Sequence, residues 1–273
     1  MHSPSIVILG SGYTGRWIFE LLRRRRVPVH ATSRMPERNL DYVPLEQRLR
    51  FDLADPLTWP ALPAQAGLIW TFPATPLEQV QAFACAHCPP GRPLVVLGST
   101  SAYDWPSPPT DAPPPWLDES APIDRTLPRV QGEEYLRTTH QAVILRVAGV
   151  YGPGRNPADW IRRGRVGPTK KLVNLIHVED LAEIVVRSLE QGTAGETYNV
   201  SDGQPRAWRD ICDEARARWG VTPIEPRERH DPGKRISSEK IFLSLGYRLR
   251  HMDLFAAIDH LEHPEKSHPR SYP

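Results

Sequence analysis

Short, wholly apolar runs alternate along the chain with longer stretches in which apolar residues recur every three or four positions. The first run, "SIVIL" (5–9), is too short for a helix and rich in β-branched residues, so it predicts a strand buried on both faces. "YTGRWIFELLRRRR" follows and places Trp17, Ile18, Leu21 and Leu22 on one side of a helix. The pattern then repeats. Strands are predicted at 27–33, 49–53, 67–72, 92–99 and 141–150, with a short one in "ETYNV". Helices are predicted at 76–88, with Leu77, Val80, Phe83 and Ala84 on one face, at "RVQGEEYLRTTH", at 178–192 and at 205–220. In the third of these, Leu181, Ile184, Val185, Ser188 and Leu189 form the buried stripe and Gly192 the stop. Strands alternating with helices imply a parallel sheet with right-handed crossovers.

Two segments break the rhythm. Residues 101–129 are proline-rich and aperiodic, which predicts a long ordered loop over one end of the sheet. "YGPGRNPADWIRRGRVGPTKK" (151–171) reads as a turn-rich excursion. "SSEKIFLSLGY" and "MDLFAAIDHLEH" complete a small C-terminal region, and 264–273 reads as a frayed tail.

Composition narrows the class. With 273 residues, 40% hydrophobic and 24% charged, the chain suits a globular protein of one or two domains. A formal net charge of +2 gives no reason to expect nucleic acid or an anionic membrane as partner. The run Arg23 to Arg26 falls where a helix ends and its dipole favours cations, so it reads as a solvated face. No window of 18 apolar residues exists, and Ile6 to Leu9 is too short for a signal segment. Three sparse cysteines, Cys85, Cys88 and Cys212, argue for a reducing compartment, so the expected location is cytoplasmic. "CAHC" (85–88) has metal-like spacing and His87 as a third donor, but no second pair follows, so no metal is expected.

The chemistry concentrates in "ILGSGYTGRW". Gly10, Gly12 and Gly15 spell G-x-G-x-x-G between a buried strand and an amphipathic helix. In that setting the first glycine makes the tight turn, the second lets a diphosphate approach the backbone, and the third lets helix and strand pack closely. Ser11, Tyr13 and Thr14 belong to the same loop. NAD-binding proteins usually carry an acidic residue about 20 positions on. Here the second strand ends in "HATSRMPER", with Ser33 and Arg34 at that place and Arg38 nearby. A guanidinium pairs with a 2′-phosphate where a carboxylate would repel it. The expected cofactor is therefore NADP(H) in preference to NAD(H). Asp52 and Leu53 fall where the adenine edge should lie, and Thr71, Phe72 and Pro73 should wall the diphosphate and ribose.

These residues carry a resemblance. "ILGSGYTGRW", "VVLGSTSAYDW", "WLDESAP", "LRVAGVYGPGR", "NLIHVEDLA", "GETYNVSDGQP" and "KRISSEKIFLSLGY" occur in the order found in extended short-chain dehydrogenase/reductases of the NAD-dependent epimerase/dehydratase group. The chain is similar above all to their compact YeeZ-like members. The resemblance implies an α/β fold: a Rossmann-type doubly wound parallel sheet with a small C-terminal α/β region capping the substrate. The cofactor core would comprise 1–150 with 172–200 returning to it, and the substrate region 151–171 and 201–263. It also implies hydride chemistry on a polar carbonyl or hydroxyl compound, and a possible homodimer through helices on the sheet face.

The family's catalytic serine falls on Ser99, which would also touch the cofactor, with Thr100 and Ser101 as close substitutes. Its Tyr-x-x-x-Lys pair is missing. One alignment puts Thr126 and Val130 at the two positions; a slip of one puts Arg125 and Arg129 there. Arg129 could replace the lysine's charge but is a poor proton donor. Tyr103, Tyr151 and, more remotely, Glu133 are the substitute acids, each with a structural role as the alternative. Tyr151 and Arg155 should lie between the cofactor and the cap. His177 and Asp180 read as a loop-to-helix bond and an early-helix carboxylate. Two functions remain open: an oxidoreductase or epimerase/dehydratase, and an NADP(H)-binding redox sensor that has lost its acid/base pair.

Overall fold

Each continuous apolar run serves two cores at once, because successive residues of a strand point to opposite faces. A computed structural model describes residues 5–103, 113–224 and 231–263. The predicted tail at 264–273 and the middle of the proline-rich loop lie outside the described residues. In chain order the elements are β1 (Ile6–Leu9), α1 (Tyr13–Arg24), β2 (Val29–Ser33), α2 (Pro36–Asn39), β3 (Arg48–Arg50), β4 (Gly67–Trp70), α3 (Leu77–His87) and β5 (Leu94–Ser99). Then come β6 (Trp116–Leu117), α4 (Pro128–His140), β7 (Val143–Val147), β8 (Gly149–Tyr151), α5 (Pro157–Arg162), β9 (Leu172–Val173), β10 (Leu175–His177) and α6 (Val178–Gln191). The chain closes with β11 (Thr197–Val200), β12 (Arg206–Ala207), α7 (Trp208–Trp219), β13 (Arg235–Ile236), α8 (Glu239–Leu245) and α9 (Leu254–Glu262).

Seven strands form one parallel sheet in the order β11-β7-β5-β4-β1-β2-β3. This is the Rossmann-type order, with the direction of winding reversing beside β1. Ile6, Ile8, Ile69, Val95, Val143 and Leu145 point into a core shared with α1 and α6. Val7, Leu9, Leu68, Trp70, Val96 and Ile144 point the other way, into a core with Phe83 of α3 and Leu136 of α4. On α1 the buried face is Gly15, Ile18, Phe19 and Leu22, while Trp17 and Leu21 are only half-buried, so the stripe sits slightly rotated from the sequence expectation. A third apolar cluster joins Tyr151, Ile161, Leu175, Trp208, Ile211, Leu254 and Ile258, under α5, α7 and α9.

The predicted strand at 141–150 is two strands. Ala148 N–H donates to the Val200 carbonyl in the main sheet, whereas Gly149 N–H donates to the Asn174 carbonyl, so the chain changes partner within one residue. β8 then pairs with β10 in a separate two-stranded ribbon. The excursion at 151–171 is not all turn. It contains α5, whose start is fixed by the Asn156 side chain accepting from Ala158 N–H at 2.9 Å and by a proline in the first turn. The proline-rich loop contributes β6, which pairs with β13 and so ties 116–117 to the C-terminal region.

One site tests the second core. Phe83 is fully buried, with Phe51, Trp59, Trp70 and His87 around its ring. Phe83→Ala should lower unfolding free energy by about 3–5 kcal/mol, measured by urea titration. A loss under about 1 kcal/mol would mean that this cluster is not a packed core.

Candidate functional site

The turn after β1 leads into a helix that no side chain caps. Gly12 occupies the N-cap position of α1 and makes no side-chain bond, and the first turn carries no acidic residue. The start of a helix offers free N–H groups and the positive end of its dipole, so this one is suited to an anion. The turn itself is braced from beneath. Gly10 N–H donates to Thr32 Oγ1 at 3.0 Å, Ser11 N–H to the Thr32 carbonyl at 2.9 Å, and Thr71 Oγ1 to the Leu9 and Gly10 carbonyls. Tyr42 OH donates to the Ser11 carbonyl at 3.2 Å.

The three glycines do different work. Gly10 has φ +83°, and a Cβ there would lie 2.6 Å from the Phe72 ring. A Cβ on Gly15 would meet the Gly10 carbonyl oxygen at 2.9 Å. A Cβ on Gly12 would meet nothing within 4 Å. The first two positions are glycine so that the protein can close on itself. Gly12 faces open space, which is where a ligand comes close. Ser11 Oγ is buried in the same loop without a hydrogen-bond partner. An uncapped helix start, an open glycine and an orphaned hydroxyl fit a dinucleotide diphosphate.

A cavity of about 920 Å³ opens from this turn. Its wall gathers Gly10, Ser11, Gly12, Tyr13, Thr14, Gly15, Ser33, Arg34, Asp52, Leu53, Thr71, Phe72 and Pro73, drawn from the ends of four strands. Arg38 is exposed and outside the wall; Asn39, one residue on in α2, takes that place. Ser33 Oγ accepts from Met35 N–H and from Asn39 Nδ2 at 2.9 Å, so its hydroxyl is engaged locally and Arg34 is the charged group at that end. Thr32, Phe51, Ala54, Thr75 and Gln79 also line the cavity. The signal for them was position alone, at strand ends and in the first turn after β4. Arg155 reaches the cavity from the loop after β8, its guanidinium 4.2 Å above the Tyr13 ring.

Ser99, Thr100, Tyr103, Arg129 and Tyr151 do not line this cavity. Ser99 stands half-buried at the end of β5, its Oγ accepting from Ser101 N–H at 3.1 Å. Thr100 is buried, and its carbonyl accepts from Lys234 Nζ at 2.9 Å. No local pattern in the sequence links Lys234 to β5; the pairing of β13 with β6 brings it there. Tyr103 OH donates to Asn199 Oδ1 and accepts from Arg146, each at 2.9 Å, and burial raises its pKa. Tyr151 is fully buried in the third core, its hydroxyl has no partner, and burial pushes its pKa up strongly. Both phenols are poor stand-ins for an active-site acid. Tyr13 is the phenol in the cavity wall; it donates to the Pro153 carbonyl at 3.0 Å, and burial pushes it to about 12.

Helix α4 places the residues aligned above with the Tyr-x-x-x-Lys positions. It begins at Pro128, so Arg125 and Thr126 precede the helix. Thr126 bonds back to Asp124 and Arg125 pairs with Glu134 at 3.2 Å. Val130 is buried. Arg129 bridges Ser101 Oγ at 3.3 Å and Glu133 Oε1 at 3.2 Å. The Glu133 carboxyl is buried against Gly98, one of its oxygens has no partner, and burial raises its pKa.

His177 caps α6: its Nδ1 accepts from Glu179 N–H at 3.3 Å. Its ring lies against the His251 ring, centroids 3.6 Å apart, and His251 Nε2 is 3.0 Å from Glu179 Oε2. Burial, and then His251, push His177 down to about 3. These three side chains form the one cluster of metal-type donors among the described residues. His177 Nδ1 is engaged by the Glu179 amide and His251 Nε2 by the Glu179 carboxylate, so the cluster reads as a packed cap. Asp180 accepts from Tyr247 OH at 2.6 Å and from the amides of Arg250 and His251, anchoring the C-terminal segment on α6. At "CAHC", Cys88 is buried with its thiol pushed up to about 12 by burial, while Cys85 is exposed beside Tyr135 OH.

No family model matches the chain. It is 30% identical over 113 residues to Protein YeeZ of Escherichia coli K12, a match covering 40% of this chain and 41% of that protein, so the chain matches less than half the length of that curated relative. Over nearly the whole chain the fold is that of solved epimerase/dehydratase structures. It superposes on a putative NAD-dependent epimerase/dehydratase from Methylobacillus flagellatus with TM-score 0.75 and 23% identity, over 98% of this chain and 100% of that one. The human epimerase family protein SDR39U1, solved with NADPH, gives TM-score 0.69 and 19% identity, over 94% and 99%. At these identities the likeness is one of fold. No helix among the described residues is long and apolar enough to cross a membrane.

The glycine geometry separates two outcomes. Gly12→Asp should abolish NADPH binding, read by calorimetry, while the thermal midpoint stays near the parent's; unchanged affinity would refute the placement. Gly15→Ala should instead cost about 1–3 kcal/mol of stability by overpacking. The His177 cap gives a pH test. Its folded pKa lies below the ordinary 6.5, so the unfolded chain binds a proton that the fold does not, and stability falls as pH drops below about 6.5. His177→Asn keeps a capping side chain and should flatten that slope between pH 7 and 5 in urea titrations. An unaltered slope would assign it to other groups.

Proposed function

We propose that the protein is an NAD(P)-dependent oxidoreductase or epimerase/dehydratase of the extended short-chain dehydrogenase/reductase type. In this reading it prefers NADP(H) and acts on a polar carbonyl or hydroxyl compound. The observation that carries the reading is the uncapped start of α1 opening on the 920 Å³ cavity through Gly12. The amides of that first turn and Ser11 Oγ hold the diphosphate. Arg34 pairs with a 2′-phosphate at the end of β2, where no acid stands to favour a free ribose hydroxyl. The aromatic and apolar side chains Phe51, Leu53 and Phe72 wall the adenosine half. The bound nicotinamide supplies or accepts hydride. Ser99, at the end of β5, holds the substrate oxygen. With Tyr103 and Tyr151 enclosed and Tyr13 engaged, the proton comes from water. Residues 1–150 with 172–200 form the cofactor core; 151–171 and 201–263 form the substrate region. A cytoplasmic homodimer is the expected setting.

The enclosure of both phenols also favours a second reading, a sensor that holds NADP(H) without turnover. A screen of carbonyl and hydroxyl compounds decides between them, read both as NADPH consumption and as conversion of the compound by NMR, because an epimerase or dehydratase returns its hydride and consumes no net cofactor. Turnover of any compound above the no-enzyme rate supports the enzyme; NADPH binding with neither cofactor consumption nor compound conversion across the panel supports the sensor. Cofactor choice has its own test. Arg34→Glu should weaken NADPH binding relative to NADH by about 10-fold or more, as expected for loss of a charge-assisted contact. If the ratio of the two dissociation constants stays put, Arg34 does not read the phosphate.

A further inference from the structure

Beyond the cleft lies a smaller cavity of about 360 Å³, bounded by the loop after β8 and by α5. Arg155 is common to both cavities, so they adjoin through one side chain. The smaller one is strongly basic. Arg155, Arg163 and Arg165 line it, against one carboxylate, Asp159, whose Oδ1 already accepts from Arg162 at 2.8 Å. The turn that ends α5 sets this arrangement. Gly164 takes φ +63°, its N–H donates to the Ile161 carbonyl, and Arg165 N–H donates back to the Trp160 carbonyl at 2.9 Å. The chain doubles back and presents residues 163 and 165 to the same space.

The neighbouring arginines show what is unusual here. Arg162 pairs with Asp159 and Glu262, Arg218 with Glu214 and Asp259, and Arg206 with Asp202. Arg163 and Arg165 form no ion pair with any described residue, and Arg155 is held over the Tyr13 ring rather than by an acid. Three guanidinium groups with no ion pair to any described residue, around a cavity of ligand size with Asp159 as its one described carboxylate, suit an anion, since the guanidinium fork matches the oxygens of phosphate and carboxylate.

We propose that this pocket binds an anionic group of the substrate, a phosphate ester or a carboxylate, and so sets the substrate class. The proposal rests on the oxidoreductase reading for the word substrate, but the pocket itself is tested separately. NADPH-saturated protein is titrated by calorimetry with inorganic phosphate and, in a second arm, with malonate. At least one should bind, and the tighter one names the anion. The double variant Arg163→Ala/Arg165→Ala should weaken that binding by about 10-fold or more while the NADPH dissociation constant stays within experimental error of the parent's. Absence of binding by both anions, or equal binding in the double variant, overturns the proposal. Should NADPH itself fail to bind, the cofactor reading falls. The same anion titrations are then made on Gly12→Asp, with and without the two arginine changes, and dependence on the arginines still decides the pocket.

Discussion

The first turn of α1 carries no side-chain cap and no acidic residue, yet the loop before it is held by bonds from β1, β2 and the residue after β4. A helix start left open is normally satisfied by solvent or by a side chain. Here the bracing is spent on keeping the turn in shape rather than on covering the amides. Gly15 lets the helix sit against the turn, Gly10 lets the chain reverse beside Phe72, and Gly12 leaves the approach clear. The doubly wound sheet follows from the same constraint, because only parallel strands with helices on both faces bring four strand ends to one edge.

Further along the same sheet edge, α4 begins at Pro128, so Arg125 and Thr126 stand before the helix. What occupies the region is an ion-paired set: Arg129 with Glu133, and Arg125, Arg137 and Arg146 with Glu134. Buried or half-buried ion pairs of this kind fix geometry more than they add stability. The chemistry that remains at the end of β5 is hydroxyl and cation: Ser99, Ser101, Arg129 and Lys234.

Much of this was legible in the sequence because it depends on local patterns. Buried parallel strands give continuous apolar runs, and the glycine spacing has meaning once it sits between a strand and a helix. The wall of the cavity was legible where it follows strand ends, as at Ser33, Asp52 and Thr71. It was missed where a helix turn decides which of two neighbours faces in, as with Arg38 and Asn39. α5 escaped because six residues show too little periodicity, although its Asn-Pro start was a usable signal. β10 escaped for the same reason at three residues. The fates of Tyr103 and Tyr151 could not be read locally: one is enclosed by Asn199 and Arg146, the other by a third core that draws Trp208, Ile211, Leu254 and Ile258 from far along the chain.

If a diphosphate rests on the open amides of α1, a crystal of the protein soaked with NADPH will show density for the bridging phosphates within hydrogen-bond distance of the Tyr13, Thr14 and Gly15 amides, with the adenosine phosphate near Arg34. A cavity left empty at saturating NADPH, or a dinucleotide bound elsewhere on the protein, would contradict it.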